Sequence, residues 1–302
     1  MAFVAQEDVL SEVESVVAEI AHRFNGTEVS HPFPRLTYQE AMERYGSDKP
    51  DLRIGLELVT LTELVADSGV GFPRRDRPRR RRARTGSARS RRRPFPAGPR
   101  PAGGAGPGVG RRRAVMAGVD RWAGPRLARR WQRAREVSRL QAHVHADDGT
   151  VLLIVAGPRD RIDVARNAVR NQVGTLLQLR DSDTLLFAWV TDFPMYELDD
   201  ETQQIVFSHN PFSMPQGGLE ALHTMDPLEI CGWQYDLVCN GVEVSSGAIR
   251  NSNAETLYRA LEIAGYSRRT VDEQFGHMIA AFRHGVPPHG GIAPGFERLL
   301  MC

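Results

Sequence analysis

Two carboxylates and an arginine stand close together in the segment YDLVCNGVEVSSGAIRN: Asp236, Glu243 and Arg250. Asn240-Gly241, set between two β-rich runs, is the preferred pair for a two-residue type I′ turn. Such a turn pairs Val238 with Glu243 and Asp236 with Ser245, so both acids share one face of a hairpin, diagonal to each other. Two carboxylates that close repel unless a cation lies between them. Magnesium fits, because it takes oxygen ligands and brings substrate phosphates with it. The competing reading is two solvated acids on an exposed face. Under strict alternation Arg250 falls on the opposite face. Gly247 lies between, however, and a glycine inside a strand often marks a bulge that re-aims the residues after it. With a bulge there, Arg250 joins the acids and offers a planar fork to a bidentate carboxylate. Without one it is a surface arginine at a strand end.

The stretch PPHGGIAPGFERLL suggests a second set of contacts. Gly290 and Gly291 carry no side chains, so a flat ligand could lie on their strand. Gly295 opens a helix whose first turn presents free N–H groups and a positive dipole end, suited to phosphate, and Arg298 adds a fixed charge. Glycine-rich strand ends also occur without ligands. His209, in SHNPFSMP, stands before a Pro-bounded turn and by itself reads as merely hydrogen-bonded. GSDKPDLR reads as a polar turn.

These residues need elements to hold them. Residues 7–24 put Val9, Val13, Val16, Val17, Ile20 and Phe24 on one helical stripe. TYQEAMERYG carries a capping box, Thr37 to Glu40, and a stop at Gly46; TLTELVADSG repeats it with Thr60, Glu63 and Gly69. DDGTVLLIVAG reads as a strand, and DRIDVARNAVRNQVGTLLQL as a helix aligning Val164, Ala168, Val169, Val173 and Leu176. Strands follow in TLLFAWVTDFPMY and QQIVFSH. After the hairpin come two helices with capping boxes, Ser252 to Glu255 and Thr270 to Glu273, closed by Gly265 and Gly285. Hairpin-joined strands with inserted helices predict an α+β fold around an antiparallel sheet.

Charge divides the chain. Residues 74–139 hold 23 arginines and three acids, whereas the remainder holds 16 basic and 34 acidic residues, so the net charge of +2 describes neither part. Residues 74–113 have no apolar period and neither Ile nor Leu, too little to offset chain entropy. Only one lysine, Lys49, occurs among 39 basic residues, as a GC-rich gene yields. No apolar run of transmembrane length and no secretory signal are present. Cys231, Cys239 and Cys302 read as reduced thiols of a cytoplasmic protein.

Taken together, FPRLTYQEAMERYGSDKPDLRIGLEL, LLFAWVTDFPMYE, SHNPFSMP, YDLVCNGVEVSSGAIRN and PPHGGIAPGFER resemble bacterial aspartyl-tRNA synthetases in order and spacing, over about residues 1–70 and 142–302. The resemblance implies activation of L-aspartate by ATP to aspartyl-adenylate and transfer to tRNA-Asp, and in some relatives tRNA-Asn. It implies that Glu243 binds ATP through magnesium with Asp236 beside it, and that Gly295, Phe296, Glu297 and Arg298 contact ATP, with Arg298 on phosphate. It further implies that Arg250 holds the aspartate side-chain carboxylate while His209 closes over the amino acid. This resolves the Arg250 alternatives in favour of the bulge.

The same resemblance divides the chain into a first catalytic part (1–70), an Arg/Pro/Gly-rich disordered or out-of-frame segment (71–141), a remnant of the bacterial insertion domain (142–182) and a second catalytic part (183–302). The family's anticodon-binding domain, its dimer-forming motif 1 and the α-phosphate arginine of motif 2 have no counterpart in the sequence. A fragment is therefore expected, without the family's homodimer and with little adenylate formation of its own. The rival readings are a basic RNA-binding protein acting through 74–139, and another class II relative such as asparaginyl-tRNA synthetase or asparagine synthetase. The order of GSDKPDLR and the insertion argues against the latter.

Overall fold

A computed structural model describes residues 1–62, 64, 114–119, 134–146, 150–156 and 159–301. Its centre is a five-stranded sheet in the order β1 (Arg35–Thr37), β5 (Phe187–Thr191), β8 (Gln234–Cys239), β9 (Val242–Ile249), β10 (Gly290–Pro294). β1 runs parallel to β5, and the other pairs are antiparallel. The α+β expectation thus holds for the sheet that carries the hairpin.

Each face of this sheet has its own cover. The helix Gln6–Ile20 lays Val9, Leu10 and Val17 against Trp189, Tyr235, Leu237 and Val244. Its buried stripe differs from the expected one: Val16 and Phe24 are exposed, while Glu14 is buried. Glu14 can take a core position because its carboxylate accepts from Trp189 Nε1 at 2.8 Å and from Arg35 at 2.8 Å. On the opposite face the helix Tyr38–Tyr45, with the Thr37–Glu40 capping box formed as expected, packs Ala41 and Tyr45 on Ala188, Val190 and Val238. Beyond that helix, Ser246 and Gly291 line a cleft walled by Phe212, Met278 and Phe282.

A second, parallel sheet holds β2 (Leu58–Thr60), β3 (Ala114–Val119) and β4 (Val151–Ala156), with β3 in the middle. β3 falls inside the segment 71–141 read above as disordered or out-of-frame, and the helix Ala134–His143 begins in it. The difference has a simple cause: AVMAGV is an uncharged six-residue run, as a central parallel strand requires. Residues 71–113 and 120–133 of that segment lie outside the described residues. The helix Arg159–Leu176 buries Ile162, Arg166, Arg170 and Val173 and exposes Val164 and Leu176, again a stripe other than the one expected. Arginines occupy it because Arg170 finds carbonyls, donating to Leu56 O at 2.6 Å and Asp51 O at 2.8 Å, and lies 4.9 Å over the Tyr45 ring.

The remaining strands β6 (Tyr196–Leu198) and β7 (Ile205–Phe207) form a small hairpin beside the helices Ala254–Ile263 and Arg268–Arg283. The caps of those helices sit elsewhere than expected: Asn253, not Ser252, accepts from Thr256 N, and Ser267, not Thr270, is the second cap. No helix among the described residues is long and apolar enough to cross a membrane.

Candidate active site on the β8–β9 hairpin

Asn240 and Gly241 both have positive φ, 52° and 87°, as a type I′ turn demands. Val238 pairs with Glu243 as expected, but the next pair is Leu237 with Ser245, so Asp236 faces Ser246 rather than Ser245. The extra residue is Val244. The bulge therefore lies at Val244 and not at Gly247. It arises because Val244 and Ser245 both turn toward the core, 1% and 2% exposed, with Val244 packed among the apolar residues under the helix Gln6–Ile20. Gly247 is a glycine for another reason: a Cβ there would stand 2.3 Å from Gly291 O and 2.6 Å from the Tyr235 ring.

The consequence for the face is the one the sequence suggested, by a different route. Past the bulge, Ser246, Ala248 and Arg250 alternate onto the side that bears Asp236 and Glu243. Arg250 lines a cleft of about 590 Å³ together with Ser246, Phe212, Met278, His289 and Gly291. No ion pair involves Arg250 among the described residues. Of the paired glycines only Gly291 opens onto space; a Cβ on Gly290 would stand 2.6 Å from Ile249.

Asp236 is 5% exposed, and its Oδ1 is buried with no hydrogen-bond partner. Burial, with Glu243 and Asp48 adding repulsion, pushes its carboxyl up to about 7 against the pull of Ser246 and Lys49. An orphaned buried oxygen beside a second carboxylate fits a hard cation. Among the described residues no group of three or more His, Cys, Asp or Glu forms a metal cage, so such an ion would draw its other ligands from water and phosphate.

Glu243 is held from both sides. Lys49 Nζ stands 3.2 Å from Oε2, and Arg298 donates to the Glu243 carbonyl at 2.6 Å and to Oε1 at 3.2 Å. Burial pulls the Lys49 ammonium down, but three carboxylates, Asp48, Glu243 and Asp236, outweigh it and hold the group above its ordinary range. His209 packs edge-on against Phe193 at 5.0 Å and Tyr38 at 6.2 Å, with Nδ1 2.8 Å from Ser208 Oγ. Burial lowers its pKa despite nearby Asp48 and Glu197.

Asp236, Glu243, Arg250 and Arg298 are thus brought to one side of the hairpin, with His209 close enough for its charge state to sense Asp48 and Glu243. Gly295 adjoins Arg298, its Cα hydrogens facing the arginine stem, and its N–H donates to Val244 O at 2.9 Å. Phe296 and Glu297 are exposed, and Phe296 lines a separate apolar groove with Phe24 and Leu299. Sequence reasoning missed Lys49 and Asp48, reading them as a turn; the signal available was that Lys49 is the chain's one lysine.

The raised Asp236 carboxyl makes a prediction for the metal-free protein. Between pH 4 and 7 the native state keeps a proton that the unfolded chain releases, so stability from this group is full below about pH 4 and is lost as pH rises through 7. Asp236→Asn cannot ionise. Its unfolding free energy should fall less between pH 5 and pH 8 in EDTA, by a difference on the order of 2–4 kcal/mol. Parallel curves for parent and variant would show that Asp236 titrates normally.

Comparison with known proteins places these residues in a family. The profile of "tRNA synthetases class II (D, K and N)" matches residues 1–302. The chain is 43% identical to the aspartate–tRNA ligase of Streptomyces avermitilis over 306 residues, covering all of this chain and 51% of that protein. It is likewise 43% identical to the aspartate–tRNA(Asp/Asn) ligase of Zymomonas mobilis over 312 residues, again all of this chain and 51% of the relative. It spans about half the length of the curated relatives it matches. Among solved structures, asparaginyl-tRNA synthetase of Entamoeba histolytica aligns with all of this chain and 42% of its own at 13% identity, with a TM-score of only 0.38.

Proposed function

Because this chain belongs to the class II tRNA synthetases of the D, K and N group, we propose that it carries the aspartate- and phosphate-gripping part of an aspartate–tRNA ligase. The observation that supports this reading most is the bulged hairpin, which sets Asp236, Glu243 and Arg250 on one face with Arg298 docked on Glu243.

The reaction has two steps. An oxygen of the aspartate α-carboxylate bonds to the α-phosphorus of ATP while the bond to the β-phosphate bridge breaks, and pyrophosphate leaves. A terminal ribose hydroxyl of tRNA then attacks the acyl carbon, losing its proton as AMP departs. Neither step needs a protein nucleophile; positioning and charge neutralisation carry the work. Arg250, without an ion-pair partner among the described residues, takes the side-chain carboxylate of L-aspartate in its fork. His209, kept neutral at physiological pH by burial, walls the amino acid without adding charge. Arg298 exchanges the Glu243 carboxylate for a phosphate oxygen of ATP. Asp236 and Glu243 would hold magnesium, which when bound neutralises charge on the phosphates. Gly295, Phe296 and Glu297 keep the ATP-contacting role that the resemblance implies, with Arg298 of the same turn docked on Glu243. tRNA-Asp is the acceptor in this reading, with tRNA-Asn a second one on the pattern of the Zymomonas relative's name, and a cytoplasmic location goes with the function.

The test is aspartate-dependent exchange of labelled pyrophosphate into ATP. It is run with the chain alone and with the part of the Streptomyces relative that the chain does not span. The first format measures the expected low rate of the isolated chain; the second is expected to show exchange. Arg298→Ala should lower that exchange on the order of a hundred- to thousand-fold. Exchange unchanged by Arg298→Ala, or none in either format, would contradict the reading.

A further inference from the structure

Lys49 stands where the acid pair calls for a cation. Its Nζ lies 3.2 Å from Glu243 Oε2 and 3.7 Å from Asp48 Oδ2, and its charge also acts on the buried Asp236 carboxyl. The second oxygen of Glu243 is engaged by Arg298 at 3.2 Å. Without ligands, the site is therefore neutralised by its own side chains. Yet Asp236 Oδ1 stays buried and unsatisfied, so the neutralisation leaves one donor for a better ligand.

We propose that Lys49 is the resident counter-ion of the Asp236–Glu243 pair, and that a divalent cation binds there by displacing its ammonium from Glu243 toward Asp48. This rests on reading the two acids as the cation-holding pair. An ammonium and a dication cannot both sit within about 4 Å of each other without repulsion well above thermal energy in a half-buried site. Asp48 Oδ2 already lies 3.7 Å from the ammonium and can take it over as a four-carbon stem with freely rotating bonds swings it off Glu243. The ion is thus exchanged rather than simply added, and Lys49 sets how tightly the hairpin takes it. Lys49 acts on the ion through Glu243 and Asp48 and is therefore a positioning residue. An ordinary exposed ion pair contributes little and would leave metal affinity unchanged, which makes the two cases separable.

The experiment follows free Mn²⁺ by electron paramagnetic resonance as it is titrated into the metal-free full chain. Parent, Lys49→Met, Lys49→Arg and Asp236→Asn are compared, with Mg²⁺ as competitor. Lys49→Met should tighten Mn²⁺ binding at least tenfold, Lys49→Arg should leave it at or below the parent's, and Asp236→Asn should abolish it. Because Lys49 is the only lysine, reductive ¹³C-methylation also gives a single lysine resonance, distinct from that of the terminal amine. That resonance should move on Mg²⁺ addition in the parent and stay still in Asp236→Asn. Equal affinity in parent and Lys49→Met, or a resonance unmoved by bound Mg²⁺, overturns the proposal while leaving the cation site standing. No binding in either parent or Lys49→Met overturns the cation site and the proposal together.

Discussion

Gly247→Ala should lower the unfolding free energy by about 3 kcal/mol, the upper part of the range for overpacking a well-filled site. The added methyl would stand 2.3 Å from Gly291 O, 2.6 Å from Tyr235 Cε2 and 2.9 Å from Ile292 Cα. Two of these are backbone atoms of β10, and the third is a ring whose hydroxyl donates to Gly291 O at 3.1 Å. No flexible side chain can yield, so the β9–β10 ladder itself must open. Gly291→Ala provides the contrast, since a Cβ there meets nothing within 4 Å, and should change stability by less than about 0.5 kcal/mol. Urea unfolding of both variants checks the difference. Equal midpoints would show that β10 does not press on Gly247 as described.

With the remaining part of the Streptomyces relative present, Arg250→Ala should reduce aspartate-dependent pyrophosphate exchange by roughly a hundred- to thousand-fold, the loss typical of one well-aimed electrostatic contact. The residue lines the cleft on the face of Asp236 and Glu243 and has no ion-pair partner of its own among the described residues. Its backbone is fixed by the N–H bond to His289 O at 2.8 Å, so truncation removes the fork and leaves the strand in place. Arg250→Lys keeps the charge but not the planar pair of donors, and should recover only a small part of the loss. A lysine variant equal to the parent would mean that charge alone is sensed there.

Local chemistry made much of this readable. Asn240-Gly241 announced its turn, Thr37 and Glu40 their capping box, and the pairing of Val238 with Glu243 came from the two-residue loop. What stayed hidden depends on residues distant in the chain. A valine gives no bulge signal, and Val244 bulges because the helix Gln6–Ile20 offers it a core to enter. Gly247 answers to Gly291 and Tyr235, not to its own strand. Lys49 lies 194 positions before Glu243, and only the folded chain joins them. The buried stripes were misjudged for a related reason: Glu14, Arg166 and Arg170 are polar residues in core positions. Glu14 and Arg170 are admitted by partners that no helical period reveals.

The aspartate reading of the hairpin turns on Arg250 waiting for a carboxylate. Isothermal titration of the purified chain with L-aspartate and, separately, L-asparagine tests this without intermediaries, since the two differ only by the group that Arg250 would hold. A site built to bond one group rejects the analogue that lacks it by orders of magnitude. Aspartate should bind at least about 100-fold more tightly than asparagine, close to 2.7 kcal/mol, and Arg250→Ala should erase the preference. Equal binding of the two amino acids, or a preference that survives Arg250→Ala, would contradict the carboxylate-gripping role.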